Sequence, residues 1–167
     1  MSPLLKGLLV AVSQLLLVGS VGAKFLFDRA SYPRVWAETT PIDPDLPIRG
    51  RYVSIGVRVD AEREAATLGS REPTMFTAHL AAKGARLVAV EDSDGQHFVS
   101  NVACGSEQCW RLSEPLAYFI PEHATDPSRR ETGEELWVEV TVPPNGAPRP
   151  IQLGVRKDGV LTPLEIR

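Results

Sequence analysis

The chain has 167 residues, a net charge of −3, and 43% hydrophobic against 23% charged residues, a balance that supports a packed core and excludes a wholly disordered polypeptide. A pI near 5.6 and the lack of a basic stripe exclude a dedicated nucleic-acid binder, so no nucleic-acid partner is expected. Fourteen prolines and thirteen glycines point to short elements joined by many turns rather than to long helices.

Gly7–Ala23 reads GLLVAVSQLLLVGSVGA and carries no charge. With Leu4, Leu5 and Phe25-Leu26-Phe27 the apolar run reaches about 20 residues, the length of a helix that crosses a hydrocarbon core. The lipid bilayer is therefore the first expected partner, reached through residues 7–27. Lys6 and Lys24 flank the run, where long side chains extend to the headgroups. Tyr32 and Trp36 follow it, as aromatic residues at a membrane interface do. A competing reading is a signal peptide, with Lys6 as its basic start and Val21-Gly22-Ala23 as a small-residue cleavage site. The retained single-pass anchor is favoured because the apolar character continues past that site. Gln14 is the strongly polar side chain inside the run. It is either a hydrogen-bonding contact to a neighbouring helix or a tolerated amide with no role.

Charge does not settle orientation. Lys6 and the α-amine precede the run, whereas Lys24, Arg29 and Arg34 follow it, which by itself favours a cytoplasmic C-terminal domain. The cysteines and the signal-like character of the segment argue the other way. The expected location is the cytoplasmic (inner) membrane, with the C-terminal domain on the periplasmic or extracellular side.

Residues 1–30 are assigned to the anchor, 31–49 to an extended linker and 50–167 to a β domain. Within Lys24–Thr40 the anchor helix is expected to continue for a few turns and to stop before Pro41. Pro41, Pro44 and Pro47 then keep the chain extended. Arg51–Asp60 alternates, with Val53, Ile55, Val57 and Val59 on one side and Tyr52, Ser54, Gly56 and Arg58 on the other, the pattern of a half-buried strand. Ala61–Arg71 reads as a loop or one short helix. Thr74–Ala82 and Ala85–Val90 flank Lys83-Gly84 as a hairpin, and Asp94-Gly95 is a second turn signal before His97–Val102. Trp110–Leu112 and Leu116–Ile120 are further strands, bent at Pro115, and His123–Glu134 is a polar surface excursion. Glu135–Val142 and Ile151–Val155 alternate on either side of Asn145-Gly146. Asp158-Gly159 turns the chain into Val160–Ile166. This spacing predicts a mainly β protein: a transmembrane helix followed by one antiparallel β-sandwich or barrel-like domain.

Three segments stand in a recognisable order. Thr40-Pro41-Ile42-Asp43-Pro44 precedes Gly50-Arg51-Tyr52 and its strand. Tyr118-Phe119-Ile120-Pro121-Glu122 comes next, then Val138-Glu139-Val140-Thr141-Val142. In this the chain resembles the GDYXXLXY family of bacterial membrane-anchored proteins. The resemblance implies an N-terminal span and a multi-pass membrane protein as partner. Arg51 stands where that family has an aspartate, Ile55 where it has leucine and Val57 where it has tyrosine. Ile55 keeps an inward hydrophobe, but Arg51 reverses a charge, so no role of the acid carries over.

Arg49, Gly50, Arg51, Tyr52, Tyr118 and Glu122 form the expected interaction surface, suited to an anion, a lipid headgroup or a protein partner. The plainer reading of the same residues is surface charge, a glycine turn and packed rings. Cys104 and Cys109 enclose four residues and read as a disulfide, as two free thiols, or, with His97, as a metal site short of a ligand. Their spacing is not that of a Cys-x-x-Cys redox pair. His79, His97 and His123 are scattered. No nucleophile elbow, phosphate loop, dinucleotide fingerprint or calcium loop is present. No catalytic residue, cofactor or metal is therefore assigned. The expected function is that of a non-enzymatic accessory subunit of a membrane protein assembly. The alternative is an envelope ligand-binding domain or hydrolytic enzyme, whose site would gather His97, the cysteine loop and Glu122.

Overall fold

Pro3–Ser31 forms one helix, α1, of 29 residues in the computed structural model, which describes residues 2–41, 52–63, 74–105, 107–124, 126–128 and 130–166. Ser2 caps its first turn by accepting the Leu5 N–H, and Pro3 occupies the first helical position, where a missing N–H costs nothing. At 1.5 Å per residue the helix is about 44 Å long, more than the roughly 30 Å hydrocarbon core of a bilayer. The consecutive residues Leu15, Leu16, Leu17 and Val18 are all exposed, so apolar side chains cover every side of α1 instead of one stripe. Ser13 and Ser20 donate back to the carbonyls of Val10 and Leu17, each at 2.8 Å, which satisfies both hydroxyls without water. The helix is thus long and apolar enough to cross a membrane. Met1–Tyr32 and Pro33–Arg167 are separate compact units.

The second unit is built from strands β1 (Arg34–Pro41), β2 (Tyr52–Val57), β3 (Asp60–Glu62), β4 (Met75–Lys83), β5 (Arg86–Glu91), β6 (His97–Cys104), β7 (Glu107–Leu112), β8 (Leu116–Phe119), β9 (Glu134–Thr141), β10 (Arg149–Lys157) and β11 (Val160–Pro163). One sheet has the order β11-β10-β9-β1-β2-β8, and the other β3-β5-β4-β6-β7. The pairs are antiparallel except β3 with β5. The mainly β domain expected from the sequence is therefore present, with one sheet curled towards a barrel.

The curl comes from the passage between sheets just after β2. The Arg58 N–H bonds to the Glu38 carbonyl of β1, and the next N–H, that of Val59, bonds to the Trp110 carbonyl of β7, both at 3.0 Å. Asp60–Glu62 then pairs with β5. One short segment therefore takes up β7 at one edge of the second sheet and β5 near the other. Both edges bend towards it, as in a closing barrel.

Alternation decides what faces inward. Val53, Ile55 and Val57 of β2, Val35 and Ala37 of β1, Val138 and Val140 of β9 and Leu153 of β10 meet Phe76, Ala78, Leu80, Ala89, Val99 and Leu112 of the second sheet in one buried cluster. Thr39 is buried among them, and its hydroxyl donates to the Leu136 carbonyl at 2.8 Å. Ala124 and Pro127 are also buried, which pins the long polar connection between β8 and β9 to the domain.

The anchor helix continues past Lys24 to Ser31, about two turns, and stops before Pro41 as expected. The linker assignment is corrected. Residues 34–41, inside the stretch assigned to a linker, are instead β1, an interior strand paired on both sides. Val35, Ala37 and Thr39 alternate there with Trp36, Glu38 and Thr40, and ladders on both sides outweigh the helical character upstream. Asp94-Gly95 lies in the turn expected before β6, where the Gly95 N–H donates to the Asp92 carbonyl at 3.0 Å, but this turn does not join paired strands. β5 and β6 flank β4, so the connection between them crosses β4 and passes over Ala78. A Cβ added to Gly95 would lie 2.5 Å from the Ala78 nitrogen, so the glycine serves close backbone approach. By contrast Asp158 and Gly159, with φ of 50° and 79°, do form the tight turn expected between β10 and β11. Gly95→Ala is accordingly expected to destabilise the domain by about 1–3 kcal/mol, the usual cost of overpacking, measured as a lowered urea midpoint at unchanged m-value.

Candidate functional site

The face of β1 turned away from the core carries Trp36, Glu38 and Thr40. Register sets Glu38 opposite Trp137 and Trp36 opposite Glu139 of β9, while Glu38 also meets Arg58 at the crossing. Arg58 Nη1 lies 2.6 Å from Glu38 Oε1, with both side chains about one-third exposed. Trp36 packs against Gly154 of β10, where an added Cβ would lie 2.8 Å from its Cζ3. That position has room for the indole only because it is glycine. Trp137 Nε1 donates to Glu135 at 3.2 Å, and the Arg156 guanidinium stands 5.1 Å from the Trp137 ring centre. Trp110 of β7 meets Phe76 edge-on at 4.9 Å and has Arg63 5.3 Å from its ring centre. Guanidinium groups thus sit against the electron-rich faces of two rings.

These elements enclose a cleft of about 420 Å³ at the crossing between sheets, lined by Trp36, Trp110 and Trp137 together with Glu38, Arg58, Asp60, Arg86, Gln108 and Cys109. Its size falls in the roughly 300–1,000 Å³ range of small-molecule sites. The chain has three tryptophans, so all of them line this one cleft. Asp60 and Arg86 form a second ion pair across its rim at 3.0 Å. Cys104 and Cys109 are joined in a disulfide, with Cα atoms 5.8 Å apart, which closes the β6–β7 hairpin beside the cleft. Among the described residues there is no free cysteine.

The residues singled out in the sequence are distributed differently. Arg49, Gly50 and Arg51 lie outside the described residues. Tyr52 pairs in register with Phe119, their ring centres 6.2 Å apart on the outer face. Tyr118 is opposite Val53 and packs against the core. Tyr52 and Tyr118 therefore occupy opposite faces of the sheet and do not share a surface. Glu122 is exposed just beyond β8. Gln14 is exposed on α1.

His97, the cysteine loop and Glu122 are not gathered. His97 and Cys104 are the two ends of an eight-residue strand, about 23 Å apart at strand rise. His97 lines a separate hollow of about 80 Å³ with Glu114 and Pro148 and approaches the Gly146 carbonyl at 3.1 Å. His79 pairs instead with Asp92 at 3.0 Å. Among the described residues no group of three or more His, Cys, Asp or Glu is placed to hold a metal.

Sequence reading missed the cleft. Trp36 was assigned to the membrane interface, and Trp137 was passed over in favour of the valines beside it. The signal was there in the alternation: a large ring at an outward position, flanked two residues away by an acid, occurs in both Trp36-Ala37-Glu38 and Trp137-Val138-Glu139.

No family model, curated protein or solved structure matches the chain.

Replacing both cysteines, as Cys104→Ser with Cys109→Ser, is expected to cost about 2 kcal/mol, the loop-closure entropy of so short a loop. Guanidinium denaturation of the two proteins side by side measures it.

Proposed function

We propose that the chain is a single-pass, membrane-anchored, non-enzymatic β domain of the extracytoplasmic side, and that it serves as an accessory subunit of a membrane protein assembly. The observation that carries this reading is the junction of helix and sheet. Only Tyr32 and Pro33 separate the membrane-length α1 from β1, an interior strand of the six-stranded sheet. The domain is thus held at the bilayer by a structural strand rather than by a long tether. The Cys104–Cys109 disulfide supports an oxidising compartment.

Gly7, Ala11 and Gln14 fall at i, i+4 and i+7 on α1, hence on one face. Small residues there allow a second helix to approach, and the Gln14 amide offers it a hydrogen bond. The order of the GDYXXLXY-like segments supports membership of that family and a multi-pass protein as the owner of the second helix. Outside the membrane, the Tyr52–Phe119 pair is the favoured contact surface, because Phe119 is 74% exposed on an edge strand. A second reading, a ligand-binding domain of the envelope, is favoured by the tryptophan cleft. Its hydrolytic variant lacks the gathered site it requires.

Extraction of the full chain in mild detergent is expected to recover a multi-pass protein with it. Gln14→Leu is expected to reduce that recovery about threefold, from the roughly 0.6 kcal/mol typical of one interhelical hydrogen bond. A lone monomer at native expression sinks the subunit reading. Protease added to intact spheroplasts is expected to digest the β domain, and full protection reverses the proposed side.

A further inference from the structure

We propose that the tryptophan cleft binds a neutral oligosaccharide. This deepens the second reading above and rests on the cleft alone, independently of any membrane partner.

The first argument is the chemistry of the walls. Indole faces are electron-rich, and the C–H face of a pyranose ring presents a broad, weakly positive surface of matching shape. Two of the rings already take positive groups, Arg63 against Trp110 and Arg156 against Trp137. Trp36 and Trp137 stand on the outward face of their sheet, and Trp110, packed on the core, lines the cleft from the other sheet.

The second argument is charge. Glu38 pairs with Arg58 and Asp60 with Arg86, so two acids and two bases cancel. A cationic ligand meets two guanidinium groups, and an anionic one meets two carboxylates. A wholly apolar ligand would strip water from both pairs and return no hydrogen bonds. Sugar hydroxyls each donate and accept, so one vicinal pair bridges a carboxylate and a guanidinium at once. Gln108, exposed at the rim, adds an amide with both capacities.

The third argument is rigidity. Trp36 is seated on Gly154, Trp137 is fixed by Glu135 and Arg156, and the wall at Cys109 is tied by the disulfide. Walls fixed in advance leave little side-chain ordering to oppose binding.

The test uses the full chain in detergent micelles with cellohexaose, chitohexaose and maltohexaose as probes. Tryptophan emission reports only on this cleft, and calorimetry reads affinity. At least one probe is expected to shift the emission saturably, with a Kd below about 1 mM. Trp137→Ala is expected to weaken that probe at least tenfold, the loss of a central aromatic anchor. Arg86→Ala lies on the exposed rim, away from the core, and is expected to weaken it about threefold if one hydrogen bond is lost. Circular dichroism establishes that each protein is folded. Three results overturn the proposal: no response to any neutral probe from folded protein; a response only to hexagalacturonate or to a proline-rich peptide; or unchanged affinity in folded Arg86→Ala. Failure of the detergent co-purification leaves this binding result standing, and failure of binding leaves the assembly reading standing.

Discussion

Two consecutive backbone N–H groups hold this domain in its form. Arg58 donates to β1 in one sheet and Val59 donates to β7 in the other. Neither sheet would meet the other at that corner without the chain crossing there. The crossing forces the second sheet to curl, because β3 continues from it directly into the far edge. It also creates the concavity of the cleft, since Glu38, Arg58, Asp60 and Trp110 come together only at this corner. The site is therefore a by-product of sheet exchange and does not depend on a long loop.

The two faces of the six-stranded sheet carry different chemistry. The inner face is almost entirely small aliphatic, with Val57, Val138, Val140 and Leu153 fully buried. The outer face is aromatic and charged, from the Tyr52–Phe119 pair at one end to Trp36, Glu38 and Trp137 at the other. Cross-strand contacts of that kind stabilise a sheet modestly, by about 0.2–1 kcal/mol per pair, and aliphatic residues would provide similar support. The pairing of Trp36 and Trp137 on one outward patch is better explained by what the patch meets than by what it stabilises.

Much of the fold was legible. The strands at Tyr52–Val57 and Glu134–Thr141 follow from alternation, those at Met75–Lys83 and Arg86–Glu91 from the Lys83-Gly84 turn between them, and the apolar helix from length and lack of charge. β1 was not legible, because its inward side offers only Val35, Ala37 and Thr39 and a membrane-like segment precedes it. Its partners β9 and β2 lie far along the chain or across a proline-rich stretch, so no local pattern announces them. Asp94-Gly95 announced its turn, but only the path of β4 beneath it shows that the turn crosses a strand. The cleft was illegible as a site because its members come from five strands and the crossing segment. The disulfide, by contrast, was among the readings that cysteine spacing offered.

Register between β1 and β9 has a consequence for how the protein is made. Arg34 aligns with Thr141, so the first strand to leave the ribosome has β2 at hand early but waits for β9 until most of the chain is made. The curled sheet is contiguous from Asp60 to Leu112 and closes on local pairings, whereas the six-stranded sheet waits for the C-terminal third. Throughout that interval β1 carries an unpaired edge only two residues after the apolar helix α1. Strand pairing therefore spreads outward from the middle of the chain, with one edge of β1 held open as the template on which the last-made strands complete the domain.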